Sequence, residues 1–235
     1  MGIFQNLAVT GLFRQERRHE LIANNLSNAQ TAGFKKDVPV FHKIFSEAFS
    51  SNPLGEFETS VTSFQQGERQ ATQNPFDLAI EGEGFFKVKT PQGIRYTRSG
   101  HFRLNREGTL VQDSGYPVWG RTGEINLRGN QFSVDKDGTV NVDGSIRDKI
   151  ALVTFPDLQG LRKEGQALFK LEGEQEEKEA SQSQLHQGAL ELSNINIMEE
   201  MIRMIDALRS FQACYKIVQV QDDMDAKAVN ELAKV

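Results

Sequence analysis

Between Ile195 and Val235 the chain contains neither glycine nor proline, and Met201, Met204, Leu208, Phe211, Tyr215 and Val218 follow a 3-4-3-4-3 spacing. That spacing keeps one side of a helix apolar and describes a coiled-coil seam. The register next falls on Asp222 and Asp225, so the stripe has to slip to Met224, Ala228 and Leu232, a phase change that alters supercoiling locally. Asn196 supplies a cap with Glu199 as its N3 acid, and Glu199 with Arg203 forms an i,i+4 pair of favourable orientation. A helix from Ile197 to Ala233 spans about 55 Å at roughly 1.5 Å per residue. No ordinary small core covers that length, so the helix demands a partner. The N-terminal helix is the first candidate, and the combined apolar stripes exceed what two helices bury in each other, which leaves surface for other chains.

At the other end Phe4, Leu7, Leu12, Leu21, Ile22 and Leu26 recur at helical spacing, and the polar run "RQERRHE" over 14–20 gives that helix a weak middle. Between the two ends the period changes to two. "GFFKVKT", "IRYTRSGHFRLN", "GTLVQDSGYPVWG", "QFSVDKDGTVNVDG", "IALVTF" and "ALFKLEG" are β-branched or aromatic runs separated by Gly, Asp, Asn and Pro, and they predict an all-β region over 76 to about 172. "DKDG" at 135–138 is a hairpin signal. It is not a calcium loop, since Gly138 stands fourth from Asp135 where an EF-hand needs its glycine sixth. Residues 37–75 predict an extended connector laid along the β domain, and "EGEQEEKEASQSQ" from Glu172 a solvated acidic loop.

The residues offer little for catalysis. Glu81 and Glu83 in "EGEGFF" share a strand face without supporting groups, and its glycines suit a sharp turn between strands better than a dinucleotide site. The four histidines lack ligand spacing, and Cys214 reads as a small buried hydrophobe. No metal or cofactor is expected. A formal net charge of −5 disfavours duplex nucleic acid as a partner. No run of 18 apolar residues is present, so no membrane insertion is expected. The first residues lack a secretory signal pattern and Asn6 breaks the myristoylation pattern, so a chain that leaves the cytoplasm would use another route.

The first helix ends in "ELIANNLSNAQTAGFKK", residues 20–36. A single Asn28 or Gly33 would stop a helix, but Asn24 and Asn25 together are more than a stop requires. Unpaired amides are costly when buried, so these asparagines are expected to satisfy backbone groups of their own turn. Gly33 would permit the turn and Phe34 anchor it. Lys35 and Lys36 are expected to face solvent or to meet acidic neighbours.

"IANNLSNAQTAGFKK" resembles the N-terminal signature of bacterial flagellar rod and hook proteins. "NPFDLAIEGEGFFKV" (74–88) and "YTRSGHFRLNREGTLVQDSGYPVWG" (96–120) resemble two β-domain signatures of the same family. "GALELSNINIMEEMIRMIDALRSFQACYKIVQVQDDMDAKAVNEL" (188–232) is similar to its C-terminal helix, with a Gly-x-Leu-Glu-x-Ser-Asn lead-in. The resemblance implies a non-enzymatic structural subunit of the flagellar basal-body rod, in the periplasm-spanning shaft. It also implies passage through the flagellar type III export apparatus without a cleavable signal, and helical polymerisation with copies of itself and other rod subunits.

The expected fold is α+β, with N- and C-terminal helices pairing as a coiled coil and a central all-β domain inserted between them. The expected division is 1–36 with 188–235 as the helical core, 37–75 as connector and 76–187 as β domain. The assembly interface is expected on Leu21, Ile22, Asn24, Asn25, Leu26, Asn28, Gly33, Phe34, Ser193 and Asn194, together with the seam Met201, Met204, Leu208, Phe211, Tyr215 and Val218. Within the family, the short connector after Lys36 and the ending "VQDDMDAKAVNELAKV" favour the proximal rod over the distal rod or hook. An adaptor that binds a ligand through its β domain and dimerises through its helices is the alternative from another class.

Overall fold

The computed structural model describes residues 2–41, 58–129, 131–165 and 167–232. The part of the expected connector at 42–57, and the side chains of Phe4, Leu7, Asp225, Ala228 and Leu232, lie outside them. Helix α1 is Gly2–Ser27 and helix α2 is Ile197–Leu232. The polar run 14–20 does not interrupt α1: Arg, Gln and Glu are good helix formers, and Arg17 pairs with Glu20 one turn on, at 3.2 Å. At the head of α2, Asn196 accepts from the Glu199 amide through its side chain and from the Glu200 amide through its carbonyl. The Arg203 guanidinium donates to Glu199 at 2.5 Å and to Glu200 at 3.3 Å.

The chain divides into two compact units. One contains α1, α2 and strand β1 (Asp37–Phe41), which pairs with β2 (Glu58–Thr62). Within it α1 packs against α2. The other unit is built from Asn28–Lys36 and Thr62–Ile195. Two stretches that the sequence reading groups with the helices, 28–36 and 188–195, are therefore part of the β unit.

The β unit opens with β3 (Arg69–Ala71), β4 (Leu78–Glu81), β5 (Phe85–Thr90) and β6 (Gly93–Thr97). It continues through the hairpin of β7 (Phe102–Leu104) and β8 (Leu110–Gln112) to β9 (Val118–Trp119). Next come β10 (Phe132–Val134), β11 (Thr139–Val142) and β12 (Ser145–Lys149), a three-stranded antiparallel sheet. Its first turn is the expected one at "DKDG", where the Gly138 amide bonds the Asp135 carbonyl. After β13 (Leu152–Thr154), β14 (Leu161–Glu164) and β15 (Leu168–Leu171) lies β16 (Lys178–Glu179). This short strand pairs with β13, so the acidic stretch after Glu172 is in part the edge of the main sheet rather than a free loop.

The main sheet runs β14-β15-β6-β5-β13-β16, with β9 also on β5, and is antiparallel throughout. Alternation along β5 explains its central place. Phe85 enters a core with Tyr96, Val153, Phe155, Leu161 and Phe169, while Phe86 and Val88 enter a second core with Leu78, Ile80, Phe102 and Val118. Aromatic pairs lock both: Phe86–Phe102 at 5.1 Å and Tyr96–Phe155 at 4.8 Å, each edge to face. The unit is closed by β17 (Gln184–Gln187) on β4 and β18 (Ala189–Glu191) on β3. Chain from beyond 172 thus completes the β structure, because the polar alternation "QLHQGALE" pairs as well as an apolar one when its partners are already in place.

Candidate assembly surface

Helix α2 turns a narrow stripe inward. Ala207 and Glu200 are buried, Ser210 and Cys214 are half-buried, and a Cβ added at Gly11 of α1 would lie 3.6 Å from the Cys214 Sγ. The small Gly11 and Cys214 allow the two helix backbones to approach closely there. The expected seam lies on its flank. Met204 and Val218 are half-buried, whereas Met201 (47% exposed), Leu208, Phe211 and Tyr215 (51%) stand in solvent. Further round the helix Met198 (68%), Ile202 and Ile205 are exposed as well. The first turns of α2 thus expose apolar side chains over a broad arc from Met201 to Ile202 and Ile205, with Glu199, Arg203 and Asp206 on the opposite face. On α1, Ile22 is buried and Leu21 and Leu26 are half-buried, while Phe13 is 65% exposed.

The turn after α1 is polar and largely out of water. Asn25 is buried, and its amide is used at both ends within the chain: Nδ2 donates to the Asp37 carbonyl at 2.8 Å and Oδ1 accepts from the Asp37 amide at 3.0 Å. Asn24 is exposed, and its carbonyl accepts from the Ser27 hydroxyl. Asn28 is buried and starts a short turn, its carbonyl accepting from the Thr31 amide and the Thr31 carbonyl from the Phe34 amide. Gly33 has φ 69°, and a Cβ there would lie 2.2 Å from the Ser99 amide nitrogen, so no other residue fits. Phe34 is buried as expected, with the Lys163 ammonium 4.2 Å from its ring centroid.

Of the two alternatives expected for Lys35, the solvent-facing one fails: it meets an acid of its own chain. Its side chain is 0% exposed, and Nζ donates to Glu191 Oε1 at 2.5 Å and to the Gln65 carbonyl at 2.7 Å. Glu191 is 1% exposed; it also accepts from the Gly67 amide at 3.0 Å, and its second oxygen lies 3.5 Å from the buried Arg98 guanidinium. Arg98 in turn donates to the Gly82 carbonyl and stacks over Phe85. Burial lowers the pKa of Lys35 and of Arg98, with the charge of Glu191 opposing the shift in each case. Lys36 binds through its backbone: its amide donates to Asn194 Oδ1, and Asn194 Nδ2 donates to the carbonyls of Ser63 and Gln65. Ser193 is buried beside them in sequence. Arg98, Gly67 and the role of Glu191 were missed by sequence reasoning. The one available signal was the acid in the Gly-x-Leu-Glu-x-Ser-Asn lead-in, set against an otherwise unexplained lysine pair.

Of the two carboxylates Glu81 and Glu83, Glu81 is tied into surface pairs. Glu81 accepts from Arg69 at 2.8 Å and contacts His186 at 2.5 Å, and the Arg69 hydrogen bond, ahead of the His186 one, holds its pKa below the ordinary value. Among the described residues no group of three metal-ligating side chains is found, and no helix is long and apolar enough to cross a membrane.

Three stretches match known families. Residues 6–35 match "Flagella basal body rod protein", 79–142 "Flagellar hook protein FlgE/F/G D1 domain", and 186–231 "Flagellar basal body rod FlgEFG protein C-terminal". Whole-length relatives agree. The flagellar basal-body rod protein FlgF of Caulobacter vibrioides is 35% identical, over 98% of this chain and 99% of its own. The rod protein FlgG of Buchnera aphidicola subsp. Baizongia pistaciae is 32% identical over 93% and 95%, and the hook-basal body complex protein FlhO of Bacillus subtilis 29% over 97% of both. With both helices, the turn and the β unit all covered by such matches, the chain belongs to the flagellar basal-body rod protein family.

Proposed function

We propose that the chain is a non-catalytic subunit of the basal-body rod, exported by the flagellar type III apparatus. It polymerises helically with itself and other rod subunits. The observation that carries the assembly reading is the unused flank of α2: a family member of matching length leaves Met201, Leu208, Phe211 and Tyr215 in solvent while its own α1 takes the small-residue stripe. Each large apolar side chain that becomes fully covered contributes about 1.5–3 kcal/mol, so a few of them outweigh the ordering of a helix that is loosely held in the monomer. The contact is heterologous, one surface of a subunit meeting a different one of the next, and so extends rather than closes. Methionines suit it, since they adapt to non-identical neighbours.

In this reading α1 and α2 form a coiled-coil inner layer, and the exposed Asn24 at the end of α1 lies at a subunit contact. The short connector and the C-terminal ending favour the proximal rod. Leu208→Asp tests the seam: rod assembly is lost while the β unit keeps its fold, and normal incorporation of the variant would refute the seam as an assembly surface. The adaptor alternative predicts a discrete dimer in sedimentation; the rod reading predicts a dilute monomer that forms larger assemblies with other rod subunits. Rod subtype is tested in a strain lacking the chain, where a proximal subunit's absence stops growth before the distal rod appears.

A further inference from the structure

The Lys35–Glu191–Arg98 cluster joins three segments far apart in sequence: the turn after α1, strand β6's exit and the lead-in to α2. Lys35 and Glu191 are separated by 156 positions. Two buried cations share one buried anion, since Glu83, which also acts on Arg98 through space, is exposed. Around this centre the backbone bonds run the same way. The Gly33 amide donates to the Glu191 carbonyl at 2.8 Å, the Leu192 amide to the Glu68 carbonyl at 2.8 Å, the Gly67 amide to the Glu191 carboxylate, and the Lys36 amide to Asn194. Gly67 is pressed against this strand: a Cβ there would sit 1.9 Å from the Leu192 carbonyl oxygen.

We propose that Glu191 is the shared counter-ion of a two-cation latch, whose docking orders the segment after α1 and the segment before α2 as one cooperative unit. With 189–194 in place, the charges of Lys35 and Arg98 are offset inside the protein. With 189–194 undocked, two cations are left together without their buried anion, and the turn 28–36 opens with the strand. Neither helix lead is then fixed unless both are, so the two ends of the chain become ordered or released together. The latch rests on the β unit's geometry alone and is independent of the rod reading, so either can fail without the other.

Native-state hydrogen exchange on the whole chain tests it. In the unaltered protein the amides of Gly33, Lys36, Gly67 and Leu192 are expected to open with one common free energy and denaturant slope, while the Leu110 amide, bonded to Ile125 in the core, exchanges more slowly. Independent opening of Gly33 and Lys36 from Gly67 and Leu192 overturns the latch. Glu191→Gln keeps shape and an acceptor but removes the charge, and it is expected to speed exchange of the four amides at least about a hundredfold with Leu110 changed less than about tenfold. Lys35→Met removes more hydrogen bonds yet leaves a neutral Arg98–Glu191 pair, so its effect is smaller. An equal or larger effect of Lys35→Met means the cluster is an ordinary hydrogen-bond network and the proposal fails. Should Glu191→Gln not fold, the unaltered protein still decides, through common or independent opening of the four amides.

Discussion

In the turn Asn28–Lys36 a lysine side chain is wholly out of water, whereas along α2 Met201, Leu208, Phe211 and Tyr215 stand in it. Composition would assign the two regions the other way round. A buried charge is tolerated only where the surrounding chain supplies partners, and here Glu191 and Gln65 do so for Lys35 at 2.5 and 2.7 Å. An exposed apolar stripe beside a satisfied intramolecular contact has no such internal answer. The first region is finished within one chain; in the proposed rod the second is finished by other chains.

The most severe way to break the finished region is Gly33→Ala. Its positive φ and the 2.2 Å approach to Ser99 leave no room for a Cβ, so the β unit should lose about 3 kcal/mol in denaturant unfolding. A loss under about 1 kcal/mol would mean the turn relaxes freely. Asn25→Ala should cost about 2 kcal/mol, because it removes both hydrogen bonds between the buried Asn25 side chain and the Asp37 backbone. If the unfolding midpoint of the isolated chain is unchanged and only assembly suffers, Asn25 belongs to the second region instead of the first.

Tyr215→Ser samples the unfinished region. It should shift the isolated chain's stability by less than about 0.5 kcal/mol while weakening assembly, as read by sedimentation. A large loss in the monomer would show that α2 already uses that flank. The smallest effect concerns Glu81, whose pKa is depressed below 4.5 by Arg69 and His186. A depressed carboxylate contributes stability that is fully present above its unfolded value and is lost as pH falls through the folded one. Glu81→Gln should therefore slightly destabilise the chain at neutral pH, and the difference should shrink as pH falls below the ordinary carboxylate range; unfolding across that range checks the sign.

Much of the architecture was legible because it is local. The 3-4 spacing of Met201 to Val218 announced α2, the Asn196 cap marked where it begins, and alternation around Phe85–Val88 announced the central strand. The 28–36 turn was legible as a turn through Gly33, but its membership in the β unit was not, since that depends on strand β18. The acidic stretch after Glu172 misled for the same reason, because β13 recruits Lys178–Glu179 at the sheet edge despite their polarity.

The sequence by itself determined the helix–β–helix order, the apolar stripe and the family signatures, all carried by residues within a few turns or strands of each other. Only the tertiary structure decided which flank of α2 meets α1, and that Lys35 is paired inside the chain with Glu191. The first depends on how closely two backbones approach, which small residues such as Gly11, Ala207 and Cys214 set jointly. The second depends on a contact between residues 156 positions apart, for which local pattern carries no information.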